Sequence, residues 1–310
     1  MSDADRDTRL DRFLAVPERL GSRSRAVAAL ERGRVFLNDV EVGGKDTAVR
    51  LGRGDVVRVW MDRPGSAKRR GPIDVGDLQI LHEDASLVVV NKPAGLLTVP
   101  LEDCEGPPSV QDQLVVHLRS HGKRRPLVVH RIDRDTSGLV LFAKDTRAQE
   151  HLKAQFRRRE PTRVYLALVY GHPDPAAGVW RDTLVWDERA SIQKATHPDD
   201  PRGTEAVCEY RTVEAFTDTA IIEVRLNTGK RNQIRIQSRL RGHTLVGERR
   251  YVFGPDTIRP IDFPRHALHA HRLAFRHPAD ERPLSFDAPP PADLEKLFRR
   301  LRAASRTKAR

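Results

Sequence analysis

The sequence has little that would staple or anchor it. Two cysteines occur in 310 residues, Cys104 and Cys208, and neither belongs to a C-x-x-C pair. That argues against a disulfide framework and a thiolate zinc site, and it suits a reduced compartment, the cytoplasm. No stretch approaches the roughly 20 consecutive apolar residues of a membrane span. The opening MSDADRDTRLDRF lacks the apolar segment of a secretion signal. Tryptophan is scarce, at three residues, and acidity is in deficit: 43 Asp and Glu stand against 55 Lys and Arg, a formal net charge of +12. A glycoside hydrolase working through paired carboxylates fits neither that charge balance nor so little tryptophan. Mean hydropathy is -0.56 and the pI about 10.2. The expected partner is a polyanion, because Lys and Arg displace condensed counterions from phosphates.

What is present reads as two units and a tether. In residues 9–62, Leu10, Phe13 and Leu14 fall at helical spacing. Ser22 offers a capping hydroxyl to a second helix, whose face is Ala26, Ala29 and Leu30 and whose stop is Gly33. Val35-Phe36-Leu37 and Val40-Glu41-Val42 flank Asn38-Asp39, a hairpin signature, and residues 55–60 alternate as a strand. Arginines, among them Arg9, Arg12, Arg23, Arg25 and Arg32, give this module a basic surface. Residues 63–76, rich in Pro, Gly and basic side chains, predict a flexible linker. From 77 to 302 strands outnumber helices. They are expected at 78–81, 86–90 and 139–143, and near 163–170, 205–216, 219–226 and 266–276. One helix opens at Ser109 and another at Thr146, where Thr146 and Gln149 read as a capping box. Leu294, Leu297, Phe298 and Leu301 stripe a final helix. The fold class is α+β: a large, mainly antiparallel mixed sheet with flanking helices, preceded by a small α+β domain.

Chemistry concentrates in His130-Arg131-Ile132-Asp133-Arg134-Asp135-Thr136-Ser137-Gly138, a dense polar run leading into an apolar strand. Charge held beside a core costs free energy unless each group is paired. From the residues alone a functional site and a salt-bridged surface turn stand level.

The segment closely resembles the His-Arg-Leu-Asp-x-x-Thr-Ser-Gly signature of the RluA-type pseudouridine synthases, with Ile132 in place of leucine. Asn91-Lys92-Pro93-Ala94-Gly95, Arg163-Val164-Tyr165-Leu166-Ala167, residues 228–235, 242–247 and 267–270 resemble further motifs of that family, in its order. The resemblance implies the pseudouridine synthase fold and a cofactor-free isomerisation of uridine within structured RNA. Asp133 is then the catalytic carboxylate, anionic at neutral pH. It either attacks the sugar or stabilises a cationic sugar and helps remove a ribose proton. Arg235 is expected to ion-pair with Asp133, and Tyr165 to stack on the uracil. Arg131 is expected to fill the stack that the flipped nucleotide leaves. His130, Thr136, Asn232 and Gln233 complete the expected substrate contacts, with His130 orienting rather than carrying protons. Lys230, Asn232 and Gln237 depart from the family's Arg, His and His, which puts in doubt whatever support those histidines give.

Residues 9–62 resemble the αL RNA-binding module. Family members bearing it often act on large-subunit ribosomal RNA, so ribosomal RNA is the expected partner and transfer RNA the alternative. A cytoplasmic monomer is expected. The rival from another class is a catalytically silent RNA-binding assembly factor. His266, His269, His271 and His277 invite a zinc reading, but no cysteine or carboxylate completes a set, so no metal is expected.

Overall fold

The computed structural model describes residues 7–31, 34–43, 46–60, 73–75, 78–100, 109–120, 125–188, 190, 192–251 and 261–308. The chain divides into two units, Met1–Arg70 and Gly71–Arg310. Most of the expected linker lies outside the described residues, as do Gly33 and Arg32. One part of it corrects the expectation: Ile73–Val75 is a strand paired antiparallel with residues 78–80. An alternating Ile-Asp-Val suits a strand better than a tether.

In the first unit, α1 (Leu10–Ala15) and α2 (Arg23–Glu31) share a core with β1 (Val35–Leu37), β2 (Val40–Val42) and β3 (Val57–Val59), a sheet of order β2-β1-β3. Leu10, Leu14, Ala26, Leu30, Val35 and Leu51 are closed to solvent. The Ser22 hydroxyl accepts from the Arg25 N–H at 3.2 Å, which starts α2. Asn38 and Asp39 both adopt positive φ, 51° and 65°, as a two-residue hairpin turn of this hand requires.

The second unit is built on a twelve-stranded sheet. Its first half holds β4 (Ile73–Val75), β5 (Leu78–Glu83), β6 (Leu87–Lys92), α3 (Val110–Ser120), β7 (Leu127–Val128), β8 (Ser137–Ala143) and α4 (Thr146–Arg157). Then come β9 (Thr162–Tyr170), β10 (Ala177–Asp187), β11 (Ile192–Thr196), β12 (Thr204–Ala215), β13 (Thr219–Leu226), α5 (Gln233–Leu240), β14 (Leu268–Arg276), β15 (Pro283–Asp287) and α6 (Ala292–Lys308). The strand order is β11-β10-β12-β13-β9-β14-β8-β6-β5-β4, with β15 beside β14 and β7 beside β8. Strand β8 is buried along its whole length, because helices cover both faces of the sheet there. Val140 and Phe142 join the core under α3, while Leu139 and Leu141 join the core under α4.

Besides β4, four strands are not expected from the sequence: β7 is only two residues long, and exposed positions recur along β10, β11 and β15 and hide the alternation. The cap of α4 also sits one residue earlier than expected: Asp145, not Thr146, accepts the Ala148 N–H, at 2.8 Å. Pairing is antiparallel throughout, except that β14 runs parallel to β8 at Ser137 and Gly138. That approach requires glycine. Gly138 has φ +113°, and a Cβ there would lie 2.2 Å from the Ala270 carbonyl oxygen.

Candidate active site

Asp133 sits in the loop between β7 and β8, and that loop is held from several sides through its backbone. Thr98 and Ile132 exchange two bonds: the hydroxyl donates to the Ile132 carbonyl at 2.8 Å and accepts its N–H at 3.3 Å. The Arg134 carbonyl accepts from Lys92 Nζ at 2.7 Å and from the Gly95 N–H at 2.9 Å. Lys92 is fully buried and donates also to the carbonyls of Pro93 and Leu96. Burial pulls its pKa down to about 7, although Asp135 and Asp133 resist. Arg265 donates to the Asp135 carbonyl at 3.1 Å and is anchored by Asp293 at 2.8 Å. Thr136 pairs with His266 at 2.8 Å, and Ser137 with His269 at 2.9 Å. The other nitrogen of His269 faces the Ala288 carbonyl, so it carries the proton and Nδ1 accepts from Ser137. Two of the four zinc-like histidines therefore brace this loop. His271 contacts the same Ala288 carbonyl, and His277 lies between Asp84 and Asp280.

Asp133 and Arg235 meet: Nη1 donates to the carboxylate at 3.1 Å. Arg235 projects from α5 and is almost wholly buried, while the Asp133 side chain keeps 28% of its surface exposed. The other edge of the guanidinium is gripped by Glu248 in a fork, Nε and Nη2 both at 2.7 Å. Glu248 also accepts the N–H groups of Arg249 and Arg250, at 3.0 and 2.8 Å. Burial alone would raise its pKa. Arg235 and the backbone donors outweigh that and hold it at about 2. Arg235 in turn is kept firmly protonated, since Glu248 and Asp133 overcome its desolvation. Glu248 was not foreseen; the available signal was a carboxylate directly after the Gly247 of a recognised motif. Gly247 has φ +76°, and a Cβ there would lie 2.0 Å from the Arg265 carbonyl oxygen.

The substitutions that raised doubt find their own roles. Asn232 adopts the left-handed conformation, φ 55°, just before α5. Its side-chain Oδ1 accepts from Arg235 at 3.1 Å and its Nδ2 donates to the Tyr251 hydroxyl at 2.8 Å. Gln237 is fully buried and donates to Asp182 and to the carbonyls of Trp180 and Ala206, tying α5 to β10 and β12. Gln233, expected at the substrate, has its amide engaged by Thr228, Lys230, Val207 and Gln237. It shapes the turn into α5. Cys208 is free and buried and donates to Gln237 at 3.2 Å; Cys104 lies outside the described residues.

All eight residues expected in the catalytic unit border one cavity of about 700 Å³. Tyr165 reaches it from β9; burial raises its pKa and keeps the phenol protonated. His130 stacks on Phe156 at 4.9 Å and accepts the Leu141 N–H at 3.1 Å. Burial, then Arg163, lowers its pKa to about 3, so it is neutral and fixed in place. Arg131 is exposed at the rim. Lys153, Arg157, Arg159, Lys230 and Arg231 also line the cavity, and Asp133 is the one acidic side chain among the lining residues. In the first unit Arg12, Arg23 and Arg25 are exposed and Arg9 is half-buried.

A single carboxylate, paired with Arg235 at the edge of a cationic cavity, suits an enzyme acting on a polyanion. The comparisons give the family. The RNA pseudouridylate synthase profile matches residues 86–239. Ribosomal large subunit pseudouridine synthase D of Zymomonas mobilis is 34% identical over 96% of this chain and 95% of its own. Ribosomal large subunit pseudouridine synthase C of Vibrio vulnificus is 32% identical over 97% and 96%. Human RNA Pseudouridylate Synthase Domain Containing 4 shares the fold, with a TM-score of 0.60 at 22% identity over 72% of this chain and 92% of its own. The chain belongs to the RNA pseudouridine synthase family, and with it to the isomerases. Among the described residues no helix is long and apolar enough to cross a membrane.

Proposed function

We propose that the protein converts uridines of large-subunit ribosomal RNA to pseudouridine, with Asp133 as the catalytic carboxylate. The observation that carries this reading is the clamp: Arg235 aims Asp133 into a cavity whose other charged walls are cationic. A uridine in folded RNA reaches that carboxylate only by leaving its stack, at a cost of a few kcal/mol. Arg131, exposed at the rim, fills the gap with its planar guanidinium. Tyr165 stacks on the extruded uracil and, being protonated, acts as a hydrogen-bond donor. Asp133 either bonds to C1′ and is displaced when C5 attacks, or stabilises the sugar cation and takes up a C2′ proton that it returns as the new bond forms; the geometry suits both. The first unit serves as an αL-type RNA clamp through Arg9, Arg12, Arg23 and Arg25. The names of the relatives from Zymomonas mobilis and Vibrio vulnificus support ribosomal RNA over transfer RNA.

The experiment uses unmodified ribosomal RNA carrying tritium at uracil C5. Wild type is expected to release tritium and Asp133→Asn to release none while still binding RNA. Equal release by both sinks the assignment of Asp133. No release by wild type leaves the silent assembly factor as the better reading.

A further inference from the structure

Arg163 stands two residues before Tyr165 on β9, on the same face, and reaches the cavity. Little holds its guanidinium. Nη2 makes one long bond, 3.4 Å, to the Leu226 carbonyl. Its carbon lies 5.5 Å from the centre of the Phe156 ring. Nε is buried without a hydrogen-bond partner. No ion pair joins Arg163 to a carboxylate among the described residues. Leaving a half-buried cation so poorly compensated is costly. The fold nevertheless makes room for it: a Cβ on Gly229 would lie 2.4 Å from Nη1. Arg235 differs, because Glu248 and Asp133 already meet its charge.

We propose that Arg163 is the counter-charge for the uracil while it is detached from the ribose. This rests on the isomerisation proposed above. Breaking C1′–N1 leaves both electrons of the bond on the base. The uracil then carries one negative charge spread over N1, O2 and O4, and C1′ is cationic or bonded to Asp133. The base must stay, turn, and offer C5 to C1′. The C5–C1′ bond uses the anion's electron pair; the C5 proton then leaves and N1 takes one up, which gives neutral pseudouridine. Arg163 Nη1 makes no hydrogen bond among the described residues and is not closed to solvent, so the guanidinium, on the same strand face as the stacking phenol, is placed to hold carbonyl-type oxygens through that turn. Its charge is available because nothing else claims it. Burial, which draws its pKa down, is relieved when an anion arrives.

The test is single-turnover conversion of C5-tritiated RNA by wild type, Arg163→Gln and Arg163→Lys, with RNA affinity measured in parallel. Arg163→Gln should slow the chemical step about 10²–10³-fold, while affinity changes by no more than about threefold. Arg163→Lys should recover part of the rate. With 5-fluorouridine at the target, followed by loss of that nucleoside from the digest, the gap between wild type and Arg163→Gln should narrow, since fluorine itself stabilises the anion. If the glutamine variant does not fold, Gly229→Ala takes its place. Its methyl displaces Nη1, and it should show the same narrowing. A glutamine variant reacting at the wild-type rate overturns the proposal. So does an affinity loss as large as the rate loss, which makes Arg163 a phosphate contact, and so does a gap indifferent to fluorine. Failure of the isomerase reading itself appears earlier, as wild type that releases no tritium.

Discussion

Each unit holds a buried arginine–carboxylate cluster of three side chains, around Asp11 in the first and Arg235 in the second, and the two are composed in opposite proportion. In the first unit Asp11, 1% exposed, is held by two arginines: Arg9 at 3.1 and 3.2 Å and Arg23 at 2.9 and 2.8 Å. In the second, Arg235 is held by two carboxylates, Glu248 and Asp133. The first cluster leaves one positive charge in excess, on side chains that reach solvent. The second leaves one negative charge in excess, on Asp133, whose oxygens face the cavity. Burial works against the ionised carboxylate in both places, and arginine reverses the effect in both. The sign of the surplus differs, and it divides the labour: a cationic remainder suits phosphates, an anionic remainder suits a sugar developing positive charge.

Removing the cation from the second cluster should break the comparison most severely. Arg235→Met leaves Glu248 buried and unpaired, which should cost about 3–5 kcal/mol. Tritium release should fall by at least about 10³-fold, because Asp133 loses its aim. The double variant Arg235→Met with Glu248→Leu should regain stability and stay inactive. Melting temperature and release assays on the same samples check both halves. Recovery of activity along with stability would show the clamp to be scaffolding only.

The pH response of Glu248 comes next in size. Its folded pKa is depressed, so its stabilising effect is fully present above about pH 4.5 and is lost as pH falls toward 2. A drop from 4.5 to about 2 corresponds to about 3 kcal/mol. Acid titration of stability should therefore be flatter in Glu248→Gln than in wild type between these limits. Parallel curves would mean that Arg235 does not stabilise the charged form.

These clusters also mark how far the sequence could be read. The loop 130–138 is legible because its function needs consecutive residues, and Gly138 is legible because no other residue fits against Ala270. Strand β8 shows itself as an unbroken apolar run, since both its faces are covered. Glu248 and Arg265 are a different case. One grips Arg235 and the other the Asp135 carbonyl, each from a distant segment, and each looks like an ordinary charged residue until the fold closes its partners around it. Asn232 and Gln237 mislead in the same way. Compared with histidine they read as losses, yet one buttresses Arg235 and the other knits α5 to two strands. β10 was missed because only a minority of its residues are buried, at the edge of the sheet beside β11.

In the first unit, Asp11→Asn tests whether its cluster is structural. Two charged partners lose their acceptor, and the expected cost is about 1–3 kcal/mol. The loss should fall on the transition of the first unit alone, read by calorimetry with the larger unit's transition as internal reference. A shift of both transitions would mean that the units do not melt independently.

The smallest effect separates arginines that look alike in sequence. Arg12 is exposed and has no ion pair among the described residues, whereas Arg23, though also exposed, is bound to Asp11. If the first unit clamps RNA, each arginine that neutralises a phosphate contributes somewhat under one unit, about 0.7–0.9, to the slope of log affinity against log salt. Arg12→Gln should remove close to that amount. Arg23→Gln should remove less, because Asp11 already answers part of its charge in the free protein and competes with any phosphate for the same guanidinium. Deleting residues 1–62 sets the upper bound for both. Equal slopes for the two variants would mean that Arg23 exchanges its carboxylate for phosphate at no cost. The surplus charge of the first cluster would then sit on Arg23, with Arg9 left to hold Asp11, and the opposition between the two units would be drawn between Arg23 and Asp133.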